Sequence, residues 1–270
     1  MKIRYQEVDG YFYPADKDKL KNQINSLLLS AKPEKFFNKI FGIVSPHAGY
    51  IYSGKTAAYA YNLLKDKNYK TVIVISPSHF EYFRGISIYD GDAYQTPLGL
   101  VEIDHAMADK IIEGSKTIFR GAEGHRKEHA LEVQIPFLQT VLKDFKIIPV
   151  VMGDQSKNYV DDLAVQISKV TDDSTLVIAS SDMSHFYSAD EADLLDSVVE
   201  KSINEFDFEK LLDDLESQKC FACGGGPIAA LMKAAALKNI NNSFVLNRSN
   251  SGDVTGDKSE VVGYLSAVIY

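Results

Sequence analysis

The chain of 270 residues has only two cysteines, Cys220 and Cys223, too few for a disulfide framework. One Cys-x-x-Cys also falls short of the four ligands of a structural zinc site. Basic residues are in deficit, 29 Lys and Arg against 37 Asp and Glu, giving a net charge of −8. Nucleic-acid surfaces need clustered positive charge, so no nucleic-acid partner is expected. The acids are scattered through helical stretches such as Asp190-Glu191-Ala192-Asp193, as on a solvated face. No apolar run approaches the ~18 residues of a membrane span, so no membrane association is expected. The opening residues, Met1 to Gly10, turn polar at once and lack the apolar stretch of a secretory signal, which predicts a cytoplasmic protein. Phosphate-loop patterns are absent too: there is no Gly-x4-Gly-Lys-Ser/Thr and no Gly-x-Gly-x-x-Gly after a strand. No Pro/Gly/Ser-rich linker, repeat or low-complexity tract breaks the chain, which predicts one domain over residues 1–270.

What is present is an alternation of strand and helix signals. Val- and Ile-rich runs at 40–44, 71–75 and 175–179 suit strands covered on both faces of a parallel sheet. A helix is predicted over 54–64 with Ser53 as its cap, another from a cap at Asp104 through Ile112, and others near 157–170, 189–205 and 207–217. The apolar stripe Ala130, Val133, Phe137 and Leu138 predicts a helix over 128–142, with Pro136 imposing a kink or a late start. Residues 85–89 read as an edge strand, and Pro149 pushes the strand 146–152 toward a sheet edge. Phe244–Leu246 and Val261–Ile269 close the chain as strands, after a turn at 251–257. The pattern predicts an α/β fold: three α/β/α layers around a mainly parallel central sheet.

Each of the three buried runs is followed by a polar segment carrying histidine: Ser45-Pro46-His47, Ser76-Pro77-Ser78-His79 and Ser181-Asp182-Met183-Ser184-His185. Ligands of open α/β sheets bind outside the carboxyl ends of the strands. Taken singly, each histidine reads as a loop residue bonded to a carbonyl; repetition at three strand ends marks a site. Neutral imidazole binds iron, zinc or copper through either nitrogen. Asp182 orients an imidazole, ligates a metal, helps position a proton donor or caps the next helix. Cys223 precedes Gly224-Gly225-Gly226-Pro227 and a helical pattern, a setting in which a thiol pKa is expected to fall, whereas Cys220 reads as a small buried hydrophobe. Glu128, His129 and Glu132 fall on one face of the expected helix, as a surface ion pair or with His129 as a proton carrier. His105 and His125 read as surface residues.

Together, Pro46-His47-Ala48-Gly49-Tyr50, Ser78-His79, Glu128-His129-Ala130-Leu131-Glu132, Ser181-Asp182-Met183-Ser184-His185 and Cys223-Gly224 resemble the Memo family, known in prokaryotes as AmmeMemoRadiSam system protein B. The resemblance extends from the first buried strand to Val261-Val262-Gly263-Tyr264. It implies a fold similar to class III extradiol dioxygenases, which hold non-haem iron(II) with two histidines and a carboxylate. By motif, His47, His79 and Cys223 match the family's metal positions, and Asp182 and His185 match residues beside them. Cysteine in place of the carboxylate raises the standing of copper or zinc against iron(II), and fold analogy alone does not carry ring cleavage over.

Three functions follow. The first is oxygen or redox chemistry on a small-molecule substrate at a mononuclear transition-metal site, iron(II) being favoured. There His185 moves a proton, Asp182 sets its tautomer, His129 is a further catalytic candidate, and Tyr50, Tyr52 and Phe80 line the pocket. The second is a non-catalytic adaptor binding a peptide or phosphopeptide in the same cleft, as the animal relatives are regarded. The third is hydrolysis through a Cys223–His pair or zinc-bound water. The prokaryotic family label also implies a functional link to a radical-SAM protein and an AMMECR1-type protein.

Overall fold

A computed structural model describes all residues, Met1–Tyr270. Nine strands form one sheet, in the order His185–Tyr187, Val261–Ile269, Gly42–Ser45, Thr175–Ser180, Thr71–Pro77, Lys146–Met152, Ile86–Tyr89, Ile118–Gly121, with Ser243–Asn250 pairing alongside Val261–Ile269. The four strands Gly42–Ser45, Thr175–Ser180, Thr71–Pro77 and Lys146–Met152 run parallel, and they carry the apolar runs read from the sequence. The sheet as a whole is mixed. Val261–Ile269 joins Gly42–Ser45 antiparallel, and Ile86–Tyr89 joins Lys146–Met152 antiparallel, so the expectation of a mainly parallel sheet holds for the centre and for the outer pair Ile86–Tyr89 with Ile118–Gly121. A smaller sheet contains Ile3–Arg4, Ala93–Thr96 and Gly99–Glu102.

Alternation along the buried strands divides the core in two. Ile43, Val72, Val74 and Ile178 pack on one face beneath the helices Lys17–Ser30, Tyr50–Asn62 and Ile135–Val141. Val44, Ile73, Ile75 and Val177 pack on the other beneath Lys157–Val170, Ala189–Asn204 and Gly225–Ala236. Each fully buried aliphatic side chain contributes about 1.5–3 kcal/mol, so the sheet is a rigid platform for whatever its ends carry. Gly42 marks how closely the layers approach. A Cβ there would stand 2.4 Å from both Leu231 Cδ1 and the Val177 carbonyl oxygen. Gly42→Ala is therefore expected to cost about 1–3 kcal/mol through overpacking, read as a lower urea midpoint; an unchanged midpoint would show that the strand can shift freely.

Several sequence expectations are corrected. Ile86–Tyr89 lies inside the sheet, and Ile118–Gly121 takes the edge. Lys146–Met152 is likewise interior despite Pro149. Its antiparallel ladder with Ile86–Tyr89 covers only Val150–Met152, so the missing N–H lies outside that ladder. The helix expected from 54 begins at Tyr50 behind Gly49, and Ser53 is inside it, donating its hydroxyl to the Ala48 carbonyl. The helix expected over 128–142 starts late, as a 3-10 turn at Glu132–Gln134 followed by Ile135–Val141, because Pro136 fits only the first turn. Glu128 and His129 are consequently in a loop. Residues 251–257 include a short helix, Gly252–Thr255. Asp104 does cap His105–Ile112, accepting from the Met107 N–H at 3.0 Å. No helix is long and apolar enough to cross a membrane.

Candidate metal centre

Three parallel strands end side by side and release their polar segments at one edge of the sheet. Ser45 lies opposite Ser180, and the Ser181 N–H continues the ladder to the Ser45 carbonyl at 3.0 Å. His47 follows the first strand and His79 the Thr71–Pro77 strand. Cys223 arrives on the loop entering Gly225–Ala236. That loop is tied down by backbone: the Cys223 N–H donates to the Asp182 carbonyl at 3.2 Å, and the Asp182 N–H to Cys223 Sγ at 3.2 Å. Gly224 permits the approach, since a Cβ there would stand 2.1 Å from the Ser180 carbonyl oxygen. As a result, one donor atom from each of His47, His79 and Cys223 lies within 4.8 Å of the other two.

Hydrogen bonds decide which nitrogens face the gap. The Ser180 hydroxyl donates to the Ala130 carbonyl at 2.6 Å and accepts from the Gln134 side-chain amide at 2.8 Å. Its proton is thus spent, and its 2.9 Å contact with His47 Nδ1 requires that nitrogen to be the donor. His47 Nε2 is left with its lone pair, 3.1 Å from Cys223 Sγ. His79 Nδ1 donates to Glu128 Oε1 at 2.9 Å, which turns its Nε2 outward in the same way. Ligating histidines characteristically donate their second N–H to a carboxylate or another acceptor.

The electrostatics follow from burial. Burial holds His47 well below the ordinary imidazole range, and the charge of His79 adds to this. Burial opposes charge on His79 too, but the hydrogen bond and charge of Glu128 overcome it and raise the group. Burial alone would raise Glu128; the His79 ring and the N–H groups of His79 and Ala130 prevail and hold it at about 2. His129 is pushed down to about 4 by burial and by the charge of His47. Its ring stacks on His79 with centroids 5.0 Å apart, and Phe12 covers it at 4.8 Å. The depressed Cys223 pKa expected from a helix N-terminus is not found. Burial and the nearby Asp182 push the thiol well above its ordinary value, because desolvation of a thiolate outweighs two weak donors. Without an ion the sulfur keeps its proton and can donate it to His47 Nε2.

Beside the donor triad lies an open cavity of about 480 Å³ whose walls include Asp182, His185, Tyr52, His129, Tyr264 and Phe12. The expected link from Asp182 to His185 is replaced by another: Asp182 Oδ1 accepts from the backbone N–H of His47 at 2.7 Å, fixing the ligand loop itself. Tyr50 is not a pocket residue. It is buried against Phe137 and donates to the Val133 carbonyl. Phe80 is exposed, 6.1 Å from the His129 ring, but does not line the cavity. His125 is buried rather than superficial, bonded to the Tyr94 hydroxyl at 2.7 Å, whereas His105 is exposed as expected. Cys220 is fully buried.

Sequence reasoning passed over the residues that position the centre. Glu128 was legible only as a surface ion pair, and Ser180 and Gln134 gave no signal. Glu132 is fully buried and gathers the N-terminal segment, pairing with Arg4, bonding the Tyr13 hydroxyl and accepting from the N–H groups of Glu7 (2.9 Å) and Val8 (3.2 Å). This strap carries Phe12 onto His129.

The donor chemistry fits a transition metal. A tetrahedral ion with M–N of ~2.0–2.1 Å and M–S of ~2.3 Å sets its donors about 3.5 Å apart, which fits the 3.1 Å between His47 Nε2 and Cys223 Sγ and three donors that all lie within 4.8 Å of one another. Two pre-aimed imidazole nitrogens and a thiol suit iron, copper or zinc better than magnesium or calcium. His79, Glu128 and His129 form a second close group, but the Glu128 oxygens are already occupied by His79 and two N–H groups.

Fold and centre together define a mixed α/β protein with an imidazole–imidazole–thiol centre at the carboxyl end of its parallel strands. The chain belongs to the Memo-like protein family, whose profile matches residues 4–268. It is similar to a MEMO1 family protein of Thermoplasma acidophilum, 40% identical over 267 residues and covering 98% of each chain. A MEMO1 family protein of Nitrosopumilus maritimus is 37% identical over 97% of this chain and 98% of its own. One from Aquifex aeolicus is 36% identical over 99% of each.

Proposed function

We propose that the chain is a metal-dependent, dioxygenase-like protein performing oxygen or redox chemistry on a small molecule bound in the cavity beside His47, His79 and Cys223. The observation that carries this reading is the convergence of three donors, two of them histidines whose free nitrogens are fixed by Ser180 and Glu128. An ion held there supplies Lewis acidity and, as iron or copper, one-electron redox capacity. Iron(II) is the favoured occupant, with copper and zinc as alternatives.

The chain's own residues do the rest. Asp182 holds the His47 loop in place through its N–H. His185, part-buried in the cavity wall, is placed to give or take a substrate proton. His129, uncharged at neutral pH because of its burial, offers a second imidazole for the same task. Phe12 and Tyr52 supply aromatic surface to the cavity wall. The raised Cys223 thiol weighs against a metal-free cysteine nucleophile, since little thiolate exists at neutral pH. The cavity has no lysine or arginine to receive a phosphate, which weighs against the phosphopeptide adaptor.

Anaerobic reconstitution with Fe(II), Cu or Zn, followed by elemental analysis and oxygen-uptake assays with a panel of small aromatic compounds, tests the proposal. One ion per chain and substrate-dependent oxygen consumption with Fe or Cu are expected. Failure of both uptake and consumption would remove the oxidative reading.

A further inference from the structure

The cavity beside the donor triad has a one-sided chemistry. Its charged lining is acidic, Asp182 at the inner wall and Glu260 at the exposed rim, and no cationic Lys or Arg faces them. Glu260 has no basic partner. Aromatic rings make up much of the remaining wall: Tyr11, Tyr52, Phe186 and Tyr264. Phe186 is the most unusual of these. Its φ is +64°, in the left-handed region that side-chain-bearing residues avoid, and it sits where the pairing of His185–Tyr187 with Val261–Ile269 slips register. The fold thus holds a 71% exposed phenyl ring at the mouth in a strained backbone conformation. Strain of this kind clusters at ligand clamps.

We propose that the cavity takes an aromatic amine, its ring among Tyr52, Tyr264 and Phe186 and its cationic nitrogen directed outward to Glu260. Ring faces and a carboxylate both attract a cation. An aromatic acid or phosphate of the same shape would bring negative charge against Glu260 at the rim, with no Lys or Arg in the lining to offset it, which is how a site rejects a wrong ligand. The inference rests on reading this cleft as the substrate site, but not on which ion the donor triad holds.

Calorimetric titration of the whole chain, metal-loaded and chelator-treated, with tyramine, 4-hydroxyphenylacetate and phosphotyrosine tests it. The first two share a ring and differ mainly in the charge of the tail. Tyramine is expected to bind about tenfold more tightly than the acid in the chelator-treated protein, the scale of one partly solvated charge contact, and by a smaller margin in the metal-loaded form, where the ion's own charge attracts the carboxylate. Glu260→Gln should bring the two within about threefold of each other, and Glu260→Lys should reverse the order. Phe186→Gly should weaken tyramine binding several-fold while raising Tm, because glycine is at ease at positive φ; this separates loss of binding from loss of folding. Equal or tighter binding of the acid or phosphotyrosine by the chelator-treated protein, no tyramine binding, or a preference untouched by Glu260→Lys would overturn the proposal. Amine preference retained without any metal uptake would instead sink the redox reading and leave this one standing.

Discussion

Glu132→Ala is expected to destabilise the protein by about 3–5 kcal/mol, the cost of leaving one member of a buried ion pair without its partner. Arg4 and Glu132 are both almost wholly buried, and the Glu132 carboxylate also serves the Tyr13 hydroxyl and the N–H groups of Glu7 and Val8. Truncation strands a guanidinium and three further donors at once. On a chain of this size the loss should appear as a fall in Tm of roughly 10 °C. The double replacement Arg4→Met with Glu132→Leu should cost less than Glu132→Ala alone, since no unpaired charge remains. The strap's attachment has a consequence at the site: with residues 5–13 released, Phe12 leaves the His129 ring it packs against. A change in stability below about 1 kcal/mol in Glu132→Ala would mean that the pair is solvated and the strap is held by other contacts.

The second large effect concerns Glu128. Glu128→Gln is expected to weaken transition-metal binding about 10- to 100-fold, the range found when an outer partner of a ligating histidine is lost. The amide keeps the shape but cannot accept from His79 Nδ1, the His79 N–H and the Ala130 N–H together, and it makes the His79 ring less basic. Competition against a chelator of known affinity reads this directly. The same residue sets an acid limb in stability. Its carboxyl is held at about 2 in the folded protein against an ordinary value of 4.5. A depressed folded value contributes stability that is complete above the unfolded pKa and is lost as pH falls toward the folded one. The wild-type protein should therefore lose stability between about pH 4.5 and 2, and Glu128→Gln should lose less over that window. Unchanged metal affinity in Glu128→Gln would remove the orienting role.

Which parts of this could be read from the chain depends on how local their signal is. The parallel centre of the sheet was legible because strands buried on both faces are written as continuous Val/Ile runs. The meeting of His47 and His79 at one sheet edge was legible too, since all three such runs end in histidine-bearing segments. Sheet order was not, because partners are chosen by packing: Pro149 suggested an edge, yet its strand is interior because one ladder stops a residue past the proline. Glu128 and Glu132 were misread for a related reason. Their i, i+4 spacing fits a helix surface, but Pro136 delays the helix, and both carboxylates turn inward to partners far away in the chain, His79 and Arg4. Charged neighbours Arg126, Lys127 and Glu128 disguised buried His125 in the same way. Cys223 shows the limit of a motif-level electrostatic argument. Helix position favours a thiolate, but desolvation is the larger effect and only the folded chain reveals it.

Whether His47, His79 and Cys223 share one ion is decided by cobalt(II) titration. Cobalt bound by a thiolate gives an intense near-ultraviolet sulfur-to-metal band, and tetrahedral geometry gives strong visible bands. Both are expected at one equivalent per chain, with loss of the sulfur band in Cys223→Ala and greatly weakened uptake in His47→Ala and His79→Ala. A wild-type titration without the sulfur band, or one whose spectrum and stoichiometry survive all three replacements, would contradict a shared ion.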